Sequence, residues 1–190
     1  NVELTFMLSV LVPYILTTKL GPLLEKASDG RVINTSSYMH HFAKVKDLDF
    51  GFETNYNPGL AYNNSKLYTI WMTRYLARDF FLRGLSITVN SYHPGLISTN
   101  LGNDSSVEKT KKSLFGRLMK SFSKNLDEGI ETGYYLTLSE EITGLTGYYF
   151  DEKKVKSVSE KGYTLEKAQD LITYCNDKIK LFKQKYALLN

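Results

Sequence analysis

Apolar residues run from Leu4 to Leu16, interrupted at Ser9 and Pro13, and helical periodicity continues to Glu25. This pattern predicts a long buried helix, with Thr17, Thr18 and Lys19 on a more polar face and an irregularity at Gly21-Pro22. The run lacks the length and basic flank of a membrane span or secretory signal. Asp29-Gly30 ends it. Arg31-Val32-Ile33-Asn34-Thr35 is then a β-branched run suited to the interior of a parallel sheet, and Ser36-Ser37 stand at its end.

From Tyr38 to Gly59 the residues are those of a loop, including His40, His41, Gly51 and Asn57-Pro58-Gly59. A connection this long usually serves a function. Leu60 to Leu82 recovers helical periodicity, with Leu67, Ile70, Trp71, Arg74, Tyr75, Arg78 and Asp79 divided between an apolar and a charged face. Leu85 to Tyr92 predicts a second buried strand, which His93-Pro94-Gly95 stops. Asp127 to Leu138 predicts a helix, Gly144 to Phe150 a strand, and Leu165 to Lys185 an amphipathic helix.

This alternation of helices and strands is the α/β class, a parallel sheet with right-handed crossovers. Ligands of such sheets lie outside the carboxyl ends of the strands. Ser36-Ser37 and His93-Pro94-Gly95 both fall at such ends, so two separated segments share one cleft.

Composition adds bounds. The 190 residues, 42% hydrophobic and 23% charged, suit one soluble globular core. A net charge of +4 spread along the chain is too weak to imply nucleic acid. The lone Cys175 excludes an intrachain disulfide and favours a reducing compartment. Asn1 already lies close to an apolar segment, so residues preceding it are expected.

Tyr62 and Lys66 are four apart on one predicted helix, so both side chains project from one face. A free phenol titrates near pH ~10, and a catalytic tyrosine needs a nearby cation to stabilise its phenolate. Lys66 is placed to supply that charge. Ser37 can hydrogen-bond the same substrate oxygen that Tyr62 holds. Taken alone, Tyr-x-x-x-Lys is a weak signal that occurs by chance in many helices.

Its context reverses that: the strand Arg31 to Thr35 with Ser36-Ser37, then Leu60-Ala61-Tyr62-Asn63-Asn64-Ser65-Lys66, then Val89-Asn90-Ser91-Tyr92-His93-Pro94-Gly95 running on to Thr99. Over nearly its whole length the chain resembles the short-chain dehydrogenase/reductase family, and within it the retinol dehydrogenase, WW-domain oxidoreductase and dehydrogenase/reductase member 12 branch. The resemblance implies the C-terminal part of a Rossmann-like doubly wound parallel sheet with flanking helices. Residues 1–190 would form a single partial catalytic domain, with 100–125 as the substrate lid. It also implies an NAD(P)-dependent oxidoreductase that interconverts an alcohol and a carbonyl on a small apolar molecule such as a retinoid, steroid or lipid aldehyde.

By the same resemblance, Ser37 binds the substrate oxygen, Tyr62 is the general acid in reduction, and Lys66 supports Tyr62 and binds the nicotinamide ribose of NADP or NAD. Pro94, Gly95, the backbone at Ile97 and the Thr99 hydroxyl would hold the nicotinamide carboxamide. Gly147-Tyr148-Tyr149-Phe150 resembles the last strand of the family's sheet. Two departures stand out. Ser9 occupies the place of the family's relay asparagine, and a shorter hydroxyl holds a relay water less well. The glycine-rich pyrophosphate turn is absent, which leads us to expect a fragment of a chain about twice this size or somewhat less. The alternative is a catalytically weakened binding or scaffold protein, which Ser9 favours.

Val107 to Lys124 is the most basic stretch, with Leu114, Phe115, Leu118, Met119 and Phe122 at helical spacing. A lid over the site is preferred there to contact with a membrane surface. His40 and His41 read as surface loop histidines, and His93 as a residue that fixes its loop. Trp71, Tyr75 and Phe80-Phe81 read as packing residues, on a helix that in the family often forms a homodimer interface. Cys175 reads as a small core residue. The cytoplasm or an intracellular membrane is the expected location.

Overall fold

A computed structural model describes residues 2–45, 48–54, 56–95, 126–160 and 162–186. Helix α1, Leu4–Leu24, begins as an α-helix at Leu4–Phe6, widens into a π turn at Met7–Leu11 and resumes as an α-helix at Val12–Leu24. Glu3 caps it, its carboxylate accepting the Phe6 N–H at 2.7 Å. Pro13 accounts for the π turn. It has no N–H to give the carbonyl of Ser9 four residues back, and its ring pushes that carbonyl aside. The displaced Ser9 oxygen accepts the Thr69 hydroxyl at 3.0 Å. The irregularity expected at Gly21-Pro22 is therefore at Pro13 instead. Pro22 lies near the helix end, which continues to Leu24.

Helix α1 is buried on one face alone, a correction to the buried helix expected from the apolar run. Phe6, Val10, Leu11 and Tyr14 enter the core, and Thr17 joins them rather than the polar side. The opposite stripe of Leu4, Leu8, Leu16, Leu20 and Leu23 is 45–64% exposed. The length is a further correction: the run judged too short for a membrane span belongs to a helix of 21 residues, which by length and composition could cross one. Its inner face instead packs on the long helix of the fold.

Strand β1, Gly30–Thr35, starts directly beneath the end of α1. A Cβ on Gly30 would stand 2.5 Å from the Leu24 carbonyl oxygen, so only glycine permits this approach. Helix α2, Pro58–Leu82, is capped by the Asn57 side chain, which accepts the Leu60 N–H at 2.9 Å, and has proline in its first turn. Strand β2, Ile87–His93, pairs parallel with β1 from Gly30 opposite Ile87 to Thr35 opposite Tyr92. Helix α3 is Leu126–Leu138, and β3, Tyr149–Asp151, pairs parallel with β2. A short β4, Lys154–Val155, folds back antiparallel, and α4, Leu165–Tyr186, closes the fold against α2. The sheet order is β1-β2-β3-β4, with β1 an outer strand among the described residues.

Two apolar clusters cover the two faces of the sheet. One joins Val32 and Val89 to Trp71, Met72, Phe6 and Leu171, and the other joins Ile33 and Tyr92 to Leu136, Ile142 and Phe150. The parallel strands with helices on both faces fit the α/β class expected. Strand β3 is shorter than the pattern predicts because side chains replace part of its ladder. Asn90 donates to the Leu145 carbonyl at 2.7 Å and accepts the Tyr148 N–H at 3.0 Å, and the Thr146 hydroxyl accepts the Val89 N–H at 2.9 Å.

Candidate active site

At the carboxyl end of β1 the backbone leaves the sheet alongside the first turns of α2. The Ser36 N–H still donates to the Tyr92 carbonyl at 2.8 Å, while its hydroxyl donates to the Lys66 carbonyl at 2.8 Å. Ser36 thereby ties strand to helix. The Lys66 ammonium donates to the Thr35 carbonyl at 3.2 Å and stands 5.5 Å from the centre of the Tyr62 ring. Burial lowers the Lys66 pKa from the ordinary lysine value. Tyr62, on the second turn of α2, is 38% exposed.

Ser37 caps a 3-10 helix at Tyr38–Phe42, its oxygen accepting the Met39 N–H at 3.3 Å. That leaves its O–H to donate to another oxygen. The Tyr38 ring lies 6.3 Å from the ring of His93, so the ends of β1 and β2 meet as the strand topology requires. Pro94 and Gly95 follow at half-buried positions, and Gly95 has φ +88°, a conformation that favours glycine. Ile97, Thr99 and the expected lid at 100–125 lie outside the described residues.

Ser9, in the π turn, lines an open groove of about 480 Å³ together with Thr35 and Lys66; Leu16, Leu20 and the outer edge of β1 complete it. His40 is a second correction. It is fully buried rather than a surface loop residue, because the 3-10 helix turns its ring inward against Tyr149, with ring centres 4.9 Å apart. Burial pushes its pKa down to about 4, with His41 and His93 adding in the same direction and the bond to the Ser37 carbonyl opposing.

Sequence reasoning missed Asn64, whose amide exchanges two 2.8 Å hydrogen bonds with the Lys44 backbone and pins the loop to α2. It also missed a buried polar ladder: Asn34 donates to Thr73 at 3.0 Å, Thr73 to the Thr69 carbonyl at 2.8 Å, and Thr69 shares its one hydroxyl proton between the Ser65 carbonyl at 2.9 Å and the Ser9 carbonyl at 3.0 Å. The signal was present as small hydroxyl residues spaced four apart at Ser65, Thr69 and Thr73.

A parallel sheet covered on both faces, with the carboxyl end of β1 tied to the first turns of α2, is the arrangement of the Rossmann-like dinucleotide folds. No family model matches the chain. It is 35% identical over 159 residues to retinol dehydrogenase 14 of Homo sapiens, covering 84% of this chain and 47% of that protein. With retinol dehydrogenase 12 of Homo sapiens it shares 34% identity over 158 residues, 83% of this chain and 48% of the relative. Among solved structures, the NADPH-bound carbonyl reductase from chicken fatty liver superposes with a TM-score of 0.53 at 22% identity, over 80% of this chain and 55% of that one. The chain belongs to the short-chain dehydrogenase/reductase family. It spans about half the length of the curated relatives it matches.

The family implies a nicotinamide cofactor, and the donors present fit one end of it. Lys66 offers an ammonium with a single described hydrogen bond, a donor of the kind that ribose hydroxyls accept. Gly95 offers backbone without a side chain at the neighbouring strand end.

Proposed function

We propose that the protein is an NAD(P)-dependent oxidoreductase that interconverts an alcohol and a carbonyl, with Ser37, Tyr62 and Lys66 as its catalytic residues. The observation that carries this reading is the Lys66 ammonium, anchored on the Thr35 carbonyl at 3.2 Å and held 5.5 Å from the Tyr62 ring. A cation fixed there stabilises the phenolate left when Tyr62 gives its proton to a carbonyl oxygen. Ser37 donates to the same oxygen and orients it. Bound nicotinamide supplies the hydride in reduction and accepts it in oxidation. Lys66 would hold its ribose, and Pro94, Gly95, Ile97 and Thr99 its carboxamide.

The apolar substrate class, a retinoid, steroid or lipid aldehyde, is part of the proposal and rests on the relatives' names and on the apolar residues at helical spacing within the basic stretch 107–124. A homodimer through α2 is proposed on its exposed Phe81 and Leu82. The cytoplasm or the surface of an intracellular membrane suits a chain with one unpaired thiol. A second reading, a binding or scaffold protein with weakened catalysis, is favoured by Ser9, whose carbonyl is occupied by Thr69.

Tyr62→Phe in the intact protein separates the two. The enzyme reading expects turnover to fall by about 10²-fold or more with cofactor binding retained in a fluorescence titration. Turnover unchanged by the substitution removes Tyr62 from the catalytic role, and no turnover in the unaltered protein gives the scaffold.

A further inference from the structure

We propose that His40 is a positioning residue for Ser37, its imidazole clamping the Ser37 carbonyl so that the serine hydroxyl is aimed at the substrate oxygen. The inference rests on the function proposed above, since it needs Ser37 to touch substrate. The Ser37 carbonyl accepts twice from His40, from its backbone N–H at 3.1 Å and from its ring Nδ1 at 2.7 Å. A carbonyl oxygen only accepts, so Nδ1 carries the ring proton and Nε2 is bare. Nε2 has no hydrogen-bond partner among the described residues. The ring's described hydrogen bonding therefore goes to Ser37.

The clamp is referenced to the sheet. His40 has no exposed surface, and its ring packs at 64° on Tyr149, the β3 residue paired with Ser91 of β2. Ser37 itself is extended, φ −158° and ψ 153°, with its oxygen held by the Met39 N–H. Fixing the Ser37 carbonyl fixes its peptide plane, and with it the direction of the Cα–Cβ bond. Low accessibility and the neighbouring His41 and His93 keep the imidazole neutral at physiological pH, so it acts as a dipolar donor and not as a base. The β1–β2 register ends at Thr35 and the last strand bond is that of the Ser36 N–H, so among the described residues it is His40 that holds the Ser37 carbonyl.

The test uses His40→Phe, which fills the slot without a donor, and His40→Asn, whose amide nitrogen takes the place of Nδ1. In the intact protein His40→Phe is expected to lower kcat by about 10-fold, the scale of a misplaced catalytic group, with KM and cofactor Kd unchanged. His40→Asn is expected to recover most of that loss. In a Ser37→Ala background, His40→Phe is expected to add less than about twofold. Unchanged kcat in His40→Phe, or a full 10-fold loss persisting without the serine hydroxyl, overturns the clamp. If Ser37→Ala alone keeps full activity, it is the function reading of Ser37 that fails. Should His40→Phe not fold, imidazole nitrogen NMR of the unaltered protein decides: a protonated Nδ1 with bare Nε2 supports the clamp, and a protonated Nε2 refutes it.

Discussion

Lys66 offers the most direct test of the electrostatics. Its ammonium is 5.5 Å from the centre of the Tyr62 ring. At an effective dielectric of ~20, a unit charge at that separation stabilises a phenolate by about 3 kcal/mol, or on the order of 10²-fold in rate. Solvent at the half-exposed site screens part of this, so a loss of ~30-fold to ~100-fold in kcat is expected for Lys66→Met. Methionine keeps the length of the stem and removes only the charge and the 3.2 Å bond to the Thr35 carbonyl. The assay is steady-state turnover at saturating cofactor in the intact protein, which separates the lost charge from weakened ribose binding. Lys66→Met within threefold of the unaltered kcat would refute the reasoning. The phenolate would then be stabilised by something other than this cation.

Two further outcomes concern stability. His40 titrates near 6.5 when unfolded and at about 4 when folded, so the unfolded chain binds the extra proton between those values. Stability from this group is complete above pH ~6.5 and is lost as pH falls to ~4, by at most about 3 kcal/mol. Tyr149, His41 and His93 surround the ring, and the two histidines, once charged, repel an imidazolium. Denaturant melts from pH 7 to 4 should show this slope in the unaltered protein and not in His40→Asn; equal slopes would defeat the argument. Asn90→Leu removes two buried hydrogen bonds between β2 and the segment leading to β3, and should cost about 2–3 kcal/mol in a denaturant melt. A loss below ~0.5 kcal/mol would show that the strand does not depend on that amide.

Much of the fold was legible in the order of its elements. The β-branched run before Ser36-Ser37, the periodic stretch into Leu82 and the stop at His93-Pro94-Gly95 became β1, α2 and β2 within three residues of where pattern placed them. Local chemistry sufficed there, because burial and capping agree with propensity. It failed where side chains act as backbone. Asn90 completes a ladder that hydrophobic pattern cannot show, and the hairpin to β4 turns through Glu152 and Lys153 at φ 51° and 61°, with neither glycine nor asparagine to announce it. The burial of His40 depends on Tyr149, more than a hundred residues away. For the proposed site, spacing and a strand end marked Tyr62, Lys66 and Ser37 as candidates, and the family resemblance supplied their roles. The Thr35 anchor of Lys66 required the register of β1 against α2, which no local window contains.

The π turn in α1 has a consequence for alignment. A five-residue turn is the footprint of one residue inserted into a regular helix, and Pro13 holds it open. Deleting one residue between Met7 and Leu11 would close it and keep Phe6 on the inward face, because the turn absorbs the extra residue without rotating what precedes it. Deleting one from the regular part of the helix, after Pro13, would instead rotate everything before the cut by about 100° around the axis and swing Phe6 out of the core. Against a relative with an unbroken helix, a one-residue gap therefore belongs inside the turn. The equivalence around Ser9 is fixed by facing direction, not by counting.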